Sequence, residues 1–544
     1  MAENKFTIKI NSILGGHAPT THFSREDQFK TSLGIDPSFT IDDNGPGSIG
    51  GTLPSGLLRP VNTYNVGTTF ASPRWIKGNP KEEGTLYVYD TGGSVYTVND
   101  TLTTLTGLGD LNDGGIAQGN GMEYYDNYMY FARATTVARY GPLNGTAAFT
   151  DDYWVSSIGQ TALTNTQYPV DFDFTEEYPN HVLHRHSDGK LYIADVVGNQ
   201  GTLHYIQTSK TTAEGDTNNG STFDAVNVGF GLWPTAMESY GSDLAIAFIE
   251  IARASSIRTF KSTRSKIAFW DTTSANVNKI TWVEFPDQMI TALKNVNGIL
   301  YVVSGNQYTD GFRVSRFIGG YSIEEVAYFE TGQPAFPGAL DGVSSRLYFG
   351  SWTNYPERAG CVYSLGLQKA SLGAGVFNTV SVYGVNGDST YTKAEVLVTA
   401  LNVADSSTAS FLDNLPILGI STGGVSYSAV AAITNTEYGN SPSVWWSRML
   451  NIGQPFKITK IRIPLAQRVA DGMTVTPKIY LDEGVDTQTL EPINWTNYPN
   501  KKNIVIEPTN LVGDHNFWLE LRWTGSVLCT VGLPITIEYE LIDD

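Results

Sequence analysis

Three of the chain's seven histidines, His181, His184 and His186, crowd into one short segment. On extended backbone His184 and His186 project to the same face, a two-ligand start for zinc or nickel that His181 or Asp188 could complete. Closed zinc sites normally add cysteine or a second histidine pair. The competing reading is therefore a loop whose imidazoles face solvent or a neighbouring subunit. Asp171 and Asp173, with Glu176 and Glu177 close behind, raise the paired-carboxylate chemistry of a glycosidase. Carboxylates two apart on a strand point the same way, however, so a charged loop reads better. Only one fragment of the sialidase Asp-box turn is present, Ser187-Asp188-Gly189. Two oxygen-rich loops, Asp110-Leu111-Asn112-Asp113-Gly114 and Asp216-Thr217-Asn218-Asn219-Gly220, are one residue short of the EF-hand order and lack its closing glutamate. Asx turns account for them. No nucleophile elbow and no phosphate-binding glycine loop is written in the chain. The expectation is a protein without catalytic, metal or cofactor residues.

One segment contrasts with its surroundings. Ile251–Trp270 holds Arg253, Arg258, Lys261, Arg264 and Lys266 and no acidic residue, in a chain of formal charge −19. It reads either as a solvated hairpin or as a basic contact loop for phosphate or an acidic neighbouring surface. The overall charge argues against a nucleic-acid clamp but permits a surface that DNA passes without sticking. Most of the excess lies before Ser441, since the remainder carries nine basic and twelve acidic residues.

The elements that must position these groups are strands. Only 16% of the 544 residues are charged, and Gly, Ser, Thr, Asn and Tyr fill the gap, a composition suited to short strands and many turns. Residues 1–60 are rich in turn signals and read as an extended arm, with one short helix over Ser24–Leu33 where Ser24 caps and Asp27 follows. From about residue 61 a turn residue followed by an apolar strand recurs, as in Gly84-Thr85-Leu86-Tyr87-Val88 and Gly298-Ile299-Leu300-Tyr301-Val302. With Tyr87, Tyr130, Tyr192, Ala245, Tyr301 and Tyr348 as markers, the steps are 43, 62, 53, 56 and 47 residues. A four-stranded propeller blade takes about 40–50 residues, so these steps fit blades with loop insertions. The marker strand is expected to be the inner strand of each blade, buried on both faces. The stretch 376–435 could add a seventh blade or the closing strands. A string of unrelated small β domains is the alternative.

After a linker near 435–443 the writing changes to strict alternation. Ile461, Ile463 and Leu465 oppose Lys460 and Arg462; Phe517, Leu519, Leu521 and Trp523 oppose Trp518, Glu520 and Arg522; and Ile535, Ile537, Tyr539 and Leu541 oppose Thr536, Glu538 and Glu540. Such writing implies sheets with one wet face. The expected fold is thus all-β: an extended arm over 1–60, a β-propeller of six or seven blades over 61–440, and a C-terminal β-sandwich over 441–544. Two distant cysteines, Cys361 and Cys529, give no disulfide framework, and the start MAENKFTIKINSILGG has no apolar signal core. Synthesis in a cytoplasm and no membrane insertion are expected.

The opening Ile13-Leu14-Gly15-Gly16, Pro19, Phe23, Gln28, Gly34-Ile35-Asp36-Pro37 and Gly56-Leu57-Leu58-Arg59-Pro60 resembles the start of propeller-type virion proteins of tailed bacteriophages. The stretch Trp446-Ser447-Arg448-Met449-Leu450-Asn451-Ile452-Gly453 with Phe456-Lys457 is similar to a strand start in phage tail proteins. The resemblance implies a non-enzymatic tail component, a nozzle, hub or ring protein. Its partners would be other virion proteins and further copies of itself, with genomic DNA passing alongside. Two other classes compete: a receptor-binding protein that stacks host glycans on its aromatic residues, and a polysaccharide-degrading propeller enzyme working through Asp171 and Asp173.

Overall fold

The computed structural model describes residues 5–11, 16–17, 26, 28–33, 59–63, 73–78, 85–90, 92–99, 104–111, 121–133, 136–155, 182–197, 200–206, 225–230, 232–253, 260–274, 282–285, 287, 289–305, 311–320, 322–329, 335, 338–343, 346–353, 359–367, 375–381, 396–403, 416–422, 428–434, 443–525, 527 and 529–542. Apart from one short 3₁₀ turn at Asp482–Gly484, every regular element among them is a strand. The chain divides into two compact units. One comprises Asn62–Gly360 with Lys393–Ala432, the other Met1–Val61 with Cys361–Thr392 and Ile433–Asp544.

The first unit is a succession of antiparallel sheets laid down in chain order. Sheet one is Pro73–Gly78, Thr85–Asp90, Ser94–Asn99 and Leu105–Asp110; sheet two is Met122–Tyr125, Tyr128–Ala132, Thr136–Gly141 and Ala148–Val155. Sheet three runs from Val182–Arg185 to Ala225–Phe230, sheet four from Leu232–Tyr240 to Trp282–Phe285, and sheet five from Met289–Val296 to Ser322–Phe329, four strands each. The hairpin Leu340–Val343/Arg346–Thr353 starts the sixth. Val396–Val403, Pro416–Thr422 and Ser428–Thr434 form a seventh, which Arg59–Thr63 completes. The first strands of these seven touch in cyclic order, each the next, and Val396–Val403 returns to Pro73–Gly78. A closed ring of radially arranged sheets is the architecture of a β-propeller.

The marker strands are doubly buried as expected, and the reason is visible in where their side chains go. Leu86 and Val88 enter the core shared with the seventh sheet, while Tyr87 and Tyr89 enter the core shared with the second. Leu244, Ile246 and Phe248 face the third sheet, and Ala245 and Ala247 the fifth. Each residue of such a strand meets apolar surface on one side or the other, so the sequence reads as a continuous apolar run. One expectation is corrected. The marker strand is the second of its sheet, and the strand before it faces the ring axis, where mixed polar and apolar residues are needed.

In the second unit one sheet has the order Lys5–Ile10, Ile535–Leu541, Phe456–Pro464 and Asn503–Ile506, with Leu511–Gly513 also on Phe456–Pro464. The other includes Gln28–Leu33, Ser443–Ser447, Asn516–Trp523, Thr474–Leu481 and Asp486–Thr489 in that spatial order. Ala359–Leu367 pairs with Gly375–Ser381, which pairs in turn with Gln28–Leu33. One continuous apolar core, including Phe29, Trp445, Ile461, Leu519, Trp523 and Ile537, lies between the two sheets.

Two further expectations are corrected here. The helix over Ser24–Leu33 is replaced by the strand Gln28–Leu33, held by distant partners: Phe29 pairs with Ser447 and Leu33 with Val444, and the Phe29 ring is fully buried. Tertiary pairing overrides a local cap signal. The strand Asn516–Trp523 has no wet face over most of its length, because Trp518 and Glu520 are buried as well. Trp518 stacks on Tyr480 and Trp446, and the Lys30 ammonium lies 4.0 Å from its ring centre. Glu520 accepts hydrogen bonds from Tyr480 Oη at 2.6 Å and Arg522 Nε at 2.8 Å. Burial pulls the Lys30 ammonium down to about 8.

Candidate functional site on the ring axis

The seven first strands enclose a cavity of about 460 Å³. Its polar lining follows a cross-strand rule. Opposite each marker residue, on the neighbouring first strand, stands a polar one: Lys77 faces Tyr87, Glu123 faces Tyr130, His184 faces Tyr192, Glu238 faces Ala245, Lys294 faces Tyr301 and Asp341 faces Tyr348. The seventh sheet sets Asn402 opposite Ile417 in the same way. Antiparallel partners share a sheet face, so one ring of seven polar side chains is built by one repeated register. For Glu123, Glu238, Lys294 and Asp341 the polar residue lies seven positions before its marker, a spacing that sequence reasoning could have found but did not.

Adjacent members neutralise one another. Lys77 Nζ lies 2.7 Å from Glu123 Oε2, and Lys294 Nζ lies 2.8 Å from Asp341 Oδ1. Burial alone would lower the Lys294 ammonium, but Asp341 and Glu238 hold it above its ordinary value. Glu238 has no ion-pair partner among the described residues; one of its oxygens, Oε1, accepts the Ser239 backbone N–H at 3.0 Å. Burial outweighs the pull of Lys294 and Lys77 and raises its carboxyl above the usual range. Asn402 is 7% exposed; its Nδ2 donates to the Ile76 carbonyl at 3.3 Å while its Oδ1 has no partner.

The histidines do share a face, as their spacing required. His184 Nε2 and His186 Nδ1 each lie 2.8 Å from Ser239 Oγ, and His186 Nε2 lies 3.2 Å from the Ser242 carbonyl. One set of protons satisfies all three contacts: His184 Nε2–H donates to Ser239, whose hydroxyl donates to His186, whose Nε2–H donates to Ser242. Burial, then Lys77 and Lys294, depress His184 well below its ordinary value and keep it neutral. The pair thus ties the third sheet to the fourth. Asp188 closes its own turn, accepting from Lys190 N and Tyr192 Oη at 3.1 and 2.7 Å. His181 lies outside the described residues, among which no group of three or more His, Cys, Asp or Glu is placed to hold a metal.

Of the other residues singled out by type and spacing, Asp171, Asp173, Glu176, Glu177 and the loop 216–220 lie outside the described residues, and Asp110 ends a strand. The basic segment is the hairpin Asp243–Arg253/Phe260–Trp270 of the fourth sheet. Arg253 and Lys261 stand on its two strands, and Arg258 is outside the described residues. Arg264 is not the free cation its sequence neighbours suggested: it pairs with Glu250 across the hairpin and with Glu284 at 3.2 Å. Lys266 reaches the same two carboxylates at 3.7 and 3.9 Å. No helix among the described residues is long and apolar enough to cross a membrane.

No protein-family model and no curated protein matches the chain. Among solved structures, U3-55K is similar over 69% of this chain and 99% of its own, with 8% identity and a TM-score of 0.42. The WD40 domain of Neurospora crassa Pan2 is similar over 69% of this chain and 95% of its own, with 9% identity and a TM-score of 0.39.

Proposed function

We propose that this protein is a non-enzymatic structural component of a tailed-bacteriophage particle, a nozzle, hub or ring protein of the tail. It is a seven-bladed propeller with an N-terminal arm and a C-terminal β-sandwich, and it assembles as a homo-oligomeric ring with other tail proteins beside or around the DNA path. The observation that carries the assembly reading is the distribution of exposed apolar side chains. Of the eight large ones among the described residues, seven belong to the sandwich unit, with Val485 at 83% and Trp495 at 46%, against Ile318 alone in the ring. Water-facing apolar surface concentrated in one unit suits contact with other chains. The resemblance of the arm and of 446–457 to tail proteins supplies the setting. With Arg264 and Lys266 held by acidic partners, contact through the hairpin falls to Arg253, Arg258 and Lys261.

Image reconstruction of intact particles tests this. The expected result is a symmetric ring of this chain on the tail axis; a position at a fibre tip, or absence from the particle, overturns it. In the same system, replacing Arg253, Arg258 and Lys261 by Ser is expected to lower particle yield while the protein stays folded. Unchanged yield and infectivity would remove the hairpin from the contact.

A further inference from the structure

We propose that the outer face of the sheet centred on Phe456–Pro464 is the surface by which one copy of this chain docks on the acidic propeller unit of a second copy. The proposal rests on the homo-oligomeric reading above and names its surface and its partner. Along Lys5–Ile10, Phe456–Pro464, Asn503–Ile506 and Ile535–Leu541, side chains alternate between the core and this face, apart from a bulge at Thr459. Those that turn outward are exposed or half-buried throughout. The unit's other sheet is not bare in this way, since Trp518 and Glu520 on the outer side of Asn516–Trp523 are buried.

Two observations say what would cover this face. One is apolar: Val505 and Val512, 39% and 44% exposed, stand on it opposite Arg462 and Lys457. The other is charge. The face itself carries Lys5, Lys9, Lys457, Lys460 and Arg462 against Glu538, Glu540 and, one residue past its strand, Glu507. Lys5 reaches Glu540 at 3.8 Å, Lys460 reaches Glu507 at 3.0 Å and Arg462 reaches Glu538 at 2.9 Å. All three carboxylates are answered, and Lys9 and Lys457 are left without an ion-pair partner among the described residues. The propeller unit is the opposite, with 20 basic and 34 acidic residues. Two copies of formal charge −19 repel unless they meet where local charges are opposite, and this face against a propeller is such a meeting. DNA fits less well, because the interleaved carboxylates repel phosphate and the valines gain no apolar cover. Lysines on the edge strand Lys5–Ile10 discourage strand addition, so the contact runs through the face and not the edge. A face that docks on a different surface makes a heterologous contact, the kind that builds rings.

Sedimentation velocity on the full-length protein tests this, at about 50 μM protein and first in about 50 mM, then about 500 mM sodium chloride. Oligomers are expected at the lower salt, and a Kd weaker by about tenfold or more at the higher. Lys9→Glu with Lys457→Glu strands no ion-pair partner within its own copy and is expected to weaken assembly by about tenfold or more. The milder pair Lys9→Gln with Lys457→Gln, and Val512→Ser alone, are expected to weaken it several-fold. Unchanged thermal melts show that the variants fold. The glutamate double variant still offers its propeller, so mixed with wild type it is expected to enter complexes that it cannot form alone. A wild-type monomer, oligomers indifferent to salt or to both double variants, failure of the variant to join wild type, or duplex DNA held through these lysines by a protein that stays monomeric would each overturn the proposal. The ring reading is decided separately by the particle image. Oligomers that survive the variants leave that reading standing on another surface, and absence from the particle sinks it whatever this face does.

Discussion

The two units solve the same problem, burying one side of many strands, in opposite ways. The sandwich unit places a single continuous core between two sheets, and its strands Phe456–Pro464 and Thr474–Leu481 alternate buried and partly exposed residues. Among the described residues the propeller divides its core into separate clusters, each shared by two neighbouring sheets and none by all. A strand between two such clusters is apolar along its whole length. The polar side chains it cannot take are displaced to the strand before it, on the axis. The contrast teaches that the axial ring of charges follows from the packing plan: where the second strand is buried twice, the first must carry the polarity.

The largest test of that contrast is in the sandwich unit. Trp523 is fully buried and its Nε1–H donates to the Cys529 carbonyl at 2.9 Å. Trp523→Ala should cost about 3–5 kcal/mol. Hydrogen exchange should show protection lost throughout 443–542, since one core serves all of those strands, while the ring strands keep theirs. Loss confined to the neighbouring strands would mean that this core is divided too. In the propeller, Gly338 abuts the first sheet so closely that a Cβ would stand 1.9 Å from the Arg74 carbonyl oxygen. Gly338→Ala should cost about 1–3 kcal/mol, with exchange quickening first in strands 73–78 and 340–343. Uniform loss around the ring would show that the clusters act as one.

The smallest effect sharpens the electrostatic half of the comparison. Glu238 has a folded-state carboxyl raised above its unfolded value, so between the two the folded ring holds more protons. Stability should therefore rise as pH falls from neutral through that raised value, and level off below the unfolded value of roughly 4.3. Glu238→Gln should remove this pH slope and stabilise the protein by less than about 1 kcal/mol at neutral pH, solvent screening included. An unchanged slope in thermal melts would show that Glu238 is paired after all.

The marker strands were legible because burial on both faces leaves an apolar signature that needs no knowledge of partners. The alternation in 456–541 was legible for the same kind of reason. What escaped was set by distant pairing. The strand at Gln28–Leu33 is fixed by Ser443–Ser447, and its local text, with Ser24 and Asp27 placed for a cap, speaks for a helix. The shared face of His184 and His186 could be read from their spacing, but Ser239, the hydroxyl that joins them, lies 53 residues beyond His186. The axial residues were hidden because each is either a single polar side chain on a short strand, as Glu123 is in Met122–Tyr125, or one of several on a longer one, as Glu238 is beside Thr235 and Ser239 in Leu232–Tyr240. Only the register against the markers unites them. Arg264 looked unpaired because both of its partners fall outside the segment that seemed purely basic.

The pairing of Lys5–Ile10 with Ile535–Leu541, residue for residue from Lys5↔Glu540 to Ile10↔Ile535, has a consequence in time. On a ribosome adding about 5–20 residues per second, the early strand waits roughly half a minute or longer for its mate. The ring has its own delay, since Pro73–Gly78 must wait for Val396–Val403. Through that interval the nascent chain carries open sheet edges that a neighbouring chain on the same messenger could capture. The pace of translation up to Ile535–Leu541, together with whatever shields those edges, therefore governs how much correctly closed protein each messenger yields.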